Sequence, residues 1–151
     1  MTLTPSKVNS FLIFKLPSAY LCGVRTQVLN QDTCVVRVTH RWINQNPFKS
    51  MFWAVQGMAA ELSTGALVML KIAESGKKIS MLVLGNKSRF IKKATGKIKF
   101  TCQDGHVIQE AIDKTIATGD GQTFWMTAVG VNEEGIEVSS FKFEWSVRVK
   151  N

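Results

Sequence analysis

Ser50-Met51-Phe52-Trp53-Ala54-Val55-Gln56-Gly57-Met58-Ala59-Ala60-Glu61-Leu62-Ser63-Thr64-Gly65-Ala66-Leu67-Val68-Met69-Leu70-Lys71-Ile72-Ala73 is the stretch on which the fold turns. From Met51 to Leu62 only Gln56 and Glu61 are polar, so a helix here is apolar nearly all round. Such a helix lies inside a protein core or inside a membrane. Length alone allows a span, for which about 20 residues suffice. Gln56, Glu61, Ser63, Thr64 and Lys71 interrupt it, however, and an acid near the middle of a membrane helix costs roughly 2.5–3.5 kcal/mol. The reading is therefore a buried helix over Ser50–Ala73 with Ser50 as its N-cap, and no membrane.

The segments on either side read as a short helix and strands. Thr4 caps a helix that has Pro5 in its first turn and runs through Lys7–Lys15, where Pro17 ends it. Val24–Leu29 and Cys34–Thr39 are β-branched runs around Asn30-Gln31-Asp32, which predicts an antiparallel hairpin. Beyond the long helix, Ile79–Leu84, Lys87–Lys92 and the strictly alternating Lys97–Cys102 read as strands. Asp104–Ile116 reads as a short helix or irregular connection. Thr123–Val131 and Ile136–Val149 are long strands around Glu133-Glu134-Gly135. In the last one Phe141, Phe143, Trp145, Val147 and Val149 share a face opposite Lys142, Glu144, Ser146, Arg148 and Lys150, the pattern of a half-buried antiparallel strand. The sum is α+β, with one curved sheet wrapped around the long helix in a single domain over residues 1–151.

With 151 residues and 45% apolar content, the chain can bury one core and is not disordered. Its net charge of +8 is concentrated. Between Lys71 and Lys99 stand nine basic residues against the single acid Glu74, and the remainder of the chain is neutral. An anionic partner near that segment is one reading, and a solvated, lysine-rich sheet face is the other. Nucleic acid ranks behind both, because only Phe90 and Phe100 lie within the run and single-strand binders interleave aromatics. Phe11–Phe14 is too short for a secretory leader and no cleavage site follows. A cytoplasmic location is therefore expected, with Cys22, Cys34 and Cys102 as buried or free thiols.

Glu61 is the most informative side chain. Burial without a partner would raise its pKa and suit it to general-base chemistry, while pairing with a cation would make it structural. Gly57 lies one turn before it and Thr64 and Gly65 one turn after. Small groups on that face leave room either for a ligand or for a close helix contact. Upstream, Asn44-Gln45-Asn46-Pro47-Phe48-Lys49-Ser50 is a capping loop whose amides can orient a carbonyl, and the free first-turn N–H groups beyond it can bind developing negative charge. Trp42 and Trp53 flank this region as core or as pocket lining. His40 and His106 stand apart with no ligand spacing, so no metal is expected. Walker, dinucleotide and nucleophile-elbow motifs are absent.

Asn46-Pro47-Phe48, Ala59-Ala60-Glu61 with the small residues after it, and Lys87-Ser88-Arg89-Phe90 together resemble the hotdog-fold acyl-CoA thioesterases, in particular a branch described only as a thioesterase-like domain of unknown function. The resemblance covers most of the chain in element order. It implies the wrapped-helix fold, a homodimer or homotetramer, and an acyl-CoA substrate or ligand without a cofactor. It implies that Glu61 acts as nucleophile or general base, that Asn46 orients substrate or water, and that the N–H groups of Trp53 and Ala54 hold the thioester oxygen. Lys87 and Arg89 would meet the phosphates of coenzyme A, and Phe52 and Thr64 would touch substrate. Many active members carry His-Gly-Gly where this chain has Phe52-Trp53-Ala54. Phe52 and Trp53 would narrow the acyl pocket, which leaves open a non-catalytic acyl-CoA-binding or structural oligomer of the same fold.

Overall fold

The computed structural model describes residues 2–151. Helix α1 (Pro5–Lys15) opens as its sequence predicts, with the Thr4 hydroxyl accepting from Lys7 N at 3.2 Å. Pro17 ends α1 and at once starts a second short helix, α2 (Pro17–Leu21), where only a stop was expected. Strands β1 (Arg25–Leu29) and β2 (Cys34–Thr39) form the expected hairpin. Its turn is held by Asn30 Oδ1, which accepts from the N–H groups of Asp32 and Thr33. A single 3-10 turn at Trp42–Asn44 leads into the loop before the central helix.

That helix, α3, spans Trp53–Ser75 and ends on Gly76 in the left-handed conformation. It begins three residues later than the sequence reading placed it, and Ser50 is not its cap. Met51 instead bridges back to Gln45 in extended geometry, and the Ser50 hydroxyl bonds to Asn46. The N-cap is Phe52, which has no side-chain acceptor to offer. No helix of the described residues is long and apolar enough to cross a membrane.

Strand β3 (Ile79–Phe90) is one continuous strand where two were expected. It pairs with the last strand from Ile79 opposite Val149 to Phe90 opposite Ser139, and the register slips between Val83 and Gly85. Gly85 thus accommodates a bulge rather than turning the chain. Strand β4 (Lys97–Cys102) follows, then α4 (Gly105–Thr118), a full helix where a short or irregular segment was expected. Its buried Ile108, Ala111, Ile112 and Thr115 recur at helical spacing and face α3, β5 (Gln122–Val131) and β6 (Glu137–Val149).

The six strands form one antiparallel sheet in the order β1-β2-β4-β5-β6-β3. Val36, Ile98, Phe100, Met126, Phe141, Phe143 and Trp145 point inward and bury against α3, which packs across β1, β2, β4, β5 and β6. The curl of the sheet brings β6 up the side of the helix. A methyl group placed on Gly65 would stand 3.2 Å from the Trp145 ring, and one on Gly57 would stand 3.7 Å from Phe141. The small-residue face read from the sequence is therefore a close helix–sheet contact at Gly65.

Candidate active site

The loop before α3 is shaped by one amide. Asn46 Oδ1 accepts from Phe48 N at 2.8 Å and from Ser50 N at 3.3 Å, while Nδ2 donates to Ser50 Oγ and to the Met51 carbonyl. This clip bends the chain through Lys49, whose φ is 63°. The amide expected to orient substrate is thus occupied on both ends within its own loop. The bend delivers Phe52 to the head of α3. Its N–H donates to Asn44 O, and its carbonyl accepts from Val55 and Gln56 N. The N–H groups of Trp53 and Ala54 have no acceptor among the described residues, as the first turn of an uncapped helix requires. They face the place where negative charge is best received.

A cavity of about 440 Å³ opens at this helix head. Its walls come from Phe48, Phe52 and Trp53 on one side and from Phe90, Ile91 and Lys92 on the other. Size and apolar lining suit a small-molecule ligand. Phe52 and Trp53 meet edge to face with ring centroids 6.0 Å apart and stay exposed at the rim rather than plugging the space. Gln56, in the sequence simply one of the polar residues that interrupt an apolar run, is 4% exposed and part of this lining. Its Oε1 accepts from the buried Ser139 hydroxyl at 2.7 Å, and its Nε2 donates to Met51 O at 3.4 Å.

Glu61 lies two turns beyond Ala54 on the same face of α3, about 10.5 Å along the axis at 1.5 Å per residue. Gly57 and Gly65 face β6, while Met58 and Leu62 face α1, and Glu61 occupies the open strip between. With Leu12, Leu16, Met58 and Leu62 it lines a small cleft of about 70 Å³, separate from the larger cavity. The residue as a whole is exposed. Its carboxyl nevertheless sits against apolar walls, and this desolvation lifts its pKa above the usual glutamate value. The open flank limits how far that effect goes. No cation pairs with it among the hydrogen bonds of the described residues.

The other expected contacts fall elsewhere. Thr64 is fully buried, and its hydroxyl donates to Glu61 O at 2.8 Å and accepts from Trp145 Nε1 at 2.9 Å. It holds Trp145 in the core and does not reach a cavity. Lys87 lies opposite Lys142, and Arg89 opposite Ser140, on the sheet face turned away from α3. Lys87 Nζ stands 5.3 Å from the Trp125 ring. The cations at the cavity are Lys92 and Lys93, the latter donating to Phe48 O at 3.0 Å. Among the described residues no cluster of His, Cys, Asp or Glu is arranged to hold a metal ion.

A curled antiparallel sheet around a central helix, with a carboxylate on the open face of that helix, defines the class: this is a hotdog-fold protein. The family described as a domain of unknown function, DUF4442, matches residues 6–147, and the chain belongs to it. Solved structures share the fold along its whole length. A protein of unknown function from Pseudomonas aeruginosa, described as a probable thioesterase, is 22% identical, with 99% of each chain covered and a TM-score of 0.82. A protein of unknown function from Chlorobaculum tepidum is 20% identical, again with 99% of each chain covered, at a TM-score of 0.84. A thioesterase from Haemophilus influenzae is 15% identical over 99% of this chain and 93% of its own, at a TM-score of 0.76. No curated protein matches the sequence.

Proposed function

We propose that this protein hydrolyses acyl thioesters, with acyl-CoA as the substrate class. One observation carries the reading: a helix head with two unpaired N–H groups opens on an apolar cavity, and a carboxylate of raised pKa lies two turns along the same helix face. The thioester oxygen is received by the N–H groups of Trp53 and Ala54, which stabilise the charge that develops on it. Glu61 takes a proton from water, whose oxygen adds to the acyl carbon; alternatively the carboxylate adds directly and water then releases the acyl group. In both routes the carbon–sulfur bond breaks and the thiolate leaves, taking up a proton. Lys92 at the cavity wall is better placed for the coenzyme phosphates than Lys87 or Arg89. Helix head and carboxylate line different cavities of one chain, so the reading includes a homodimer in which a second copy closes the space between them. The structural relatives described as thioesterases support the same direction.

A second reading, a non-catalytic acyl-CoA binder, is favoured by the full engagement of the Asn46 amide within its loop. Thiol release from a chain-length panel of acyl-CoAs separates the two. Hydrolysis is expected, and Glu61→Gln should lower kcat by roughly 10²-fold or more, the scale of general acid–base catalysis, without lowering the melting temperature. Undiminished turnover in that variant would remove the mechanism. Coenzyme A binding with no hydrolysis anywhere on the panel would leave the second reading standing.

A further inference from the structure

The sheet face turned away from α3 carries a further cavity of about 340 Å³, lined by Gly23, Arg25, Arg37, Thr39 and Arg41. Three of these five residues are arginines and none is acidic. Arg25 lies directly opposite Arg37 across β1–β2, and Arg37 directly opposite Lys99 across β2–β4. Three cations in one cross-strand row repel one another and weaken the sheet, so the row calls for a compensating anion.

The cleft is built rather than incidental. The Arg25 guanidinium lies 3.6 Å over the Tyr20 ring, and its Nη1 donates to the Tyr20 and Val24 carbonyls at 2.8 Å each. Arg41 is positioned through its backbone. The side chain of Asn44, 1% exposed, accepts from Arg41 N at 2.8 Å and donates to Cys22 O and Thr39 O at 2.9 Å each. One buried amide therefore ties together the two chain segments that present Gly23 and Thr39–Arg41. Gly23 adopts a φ of +90°, and a methyl group there would stand 2.6 Å from Arg41 Nη2. Glycine both allows the turn and leaves the space that the guanidinium fills. The side chains of Arg37 and Arg41 have no hydrogen-bond acceptor among the described residues.

We propose that this cleft binds a phosphoryl group carrying two or more negative charges, at a site distinct from the cavity at the head of α3. The guanidinium forks of Arg37 and Arg41 match the oxygens of phosphate in two-point contacts, and with the fixed charge of Arg25 beside them they favour a multiply charged anion over a monocarboxylate. At about 30 Å³ for each water in the liquid, the volume exceeds what a bare phosphate fills, and it leaves room for an attached group. Fixing Arg25 and the Arg41 backbone beforehand reduces the ordering cost of binding.

Calorimetric titration of the full chain with pyrophosphate, ADP and acetate tests the site. Pyrophosphate should bind saturably, one per chain, and acetate should not. Arg37→Gln and Arg41→Gln should each weaken pyrophosphate roughly tenfold or more, as loss of a charge-assisted bond implies. Lys142→Gln, which removes the same charge from the same sheet face outside the cleft, should bind like the parent protein. ADP binding tighter than pyrophosphate identifies a nucleotide-borne phosphate, and equal binding identifies a free one. Should Arg37→Gln fail to fold, Arg41→Gln, whose side chain is exposed beyond the strand, decides the matter. Absence of saturable pyrophosphate binding, or equal weakening by Lys142→Gln, would overturn the proposal in favour of a diffuse cationic field.

Discussion

Gly57 and Gly65 look equivalent in the sequence, each one turn from Glu61, yet they answer substitution differently. Replacing a helix-interior glycine with alanine gains up to about 1 kcal/mol from propensity. At Gly57 the new methyl would make an ordinary contact at 3.7 Å with Phe141, so Gly57→Ala should raise the melting temperature. At Gly65 it would meet Trp145 at 3.2 Å, and the bond from Trp145 Nε1 to Thr64 keeps the ring from retreating. Overpacking of roughly 1–3 kcal/mol then outweighs the propensity gain, and Gly65→Ala should melt lower. Parallel thermal melts check the pair, and a shift of the same sign in both would contradict it. Glu61 gives a pH signature. Its pKa is raised in the folded chain from 4.5, so its contribution to stability is complete below that value and is lost as pH rises through the folded pKa. The proposed hydrolysis would have the opposite dependence, because its base must be ionised. Activity should therefore climb with pH through a midpoint above the ordinary glutamate value, read from the acid limb of a kcat/KM profile. A limb at or below that value would show that desolvation does not govern the working carboxylate. Glu61 stood out in the sequence as an acid in an apolar run, and the structure places it on the open strip of α3. The roles of Asn44 and Gln56 were not legible there, because their partners Cys22 and Ser139 are distant in sequence and no local pattern announces a long-range hydrogen bond.

Elements were most legible where periodicity was unbroken. Lys97–Cys102 alternates cleanly and lies as read, and the last strand, read from Ile136, runs from Glu137 with clean alternation over Phe141–Val147, whereas β3 reads as two strands because Gly85 interrupts its alternation at the bulge. Helix α4 was underread because only a thin stripe of Ile108, Ala111, Ile112 and Thr115 marks its buried face. Its first residue shows how tightly it docks. A methyl group on Gly105 would stand 2.1 Å from the Gln31 carbonyl oxygen, which belongs to the backbone of the β1–β2 turn and cannot swing aside. Gly105→Ala should push α4 off that turn and lower stability by more than Gly65→Ala does, as chemical denaturation of the two variants would show. A smaller loss at Gly105 would mean that the turn yields easily. The sheet also settles the cysteines. Cys34 and Cys102 lie directly opposite each other on β2 and β4, both fully buried, with burial pushing each thiol up to about 12. Thiols held protonated and out of solvent do not react. Native protein should give one labelled cysteine with a maleimide, at Cys22, and all three in denaturant. Mass spectrometry counts the adducts, and rapid native labelling of three would show that the sheet opens readily.

At the scale of the whole molecule, the concentrated positive charge is divided by the sheet. Lys87, Arg89, Lys97 and Lys99 fall on the face turned away from α3, and Lys92 and Lys93 fall at the cavity beside it, so a run contiguous in sequence serves two surfaces. The outer face also gathers Arg25 and Arg37 from the part of the chain that is neutral in sum, which no running charge count reveals. The inner side raises the question of assembly. Phe48 is 67% exposed, Trp53 56%, Ile91 57% and Phe90 46%, all around the cavity at the head of α3. A contiguous apolar rim of this kind marks an interaction site. A second copy is the occupant that would also complete the proposed catalytic arrangement, since Glu61 and the free N–H groups of α3 line different cavities of one chain. Sedimentation equilibrium should therefore give at least twice the chain mass. Trp53→Glu would place a charge on the rim while leaving the core untouched, because the side chain it replaces is not buried. Desolvating that charge at an interface is costly, so the variant should dissociate and lose thioester turnover together, with its circular dichroism unchanged. Turnover lost from a variant that stays assembled would confine Trp53 to the active site, and an intact, active assembly would mean that the second copy binds elsewhere and the cavity rim faces only the acyl chain.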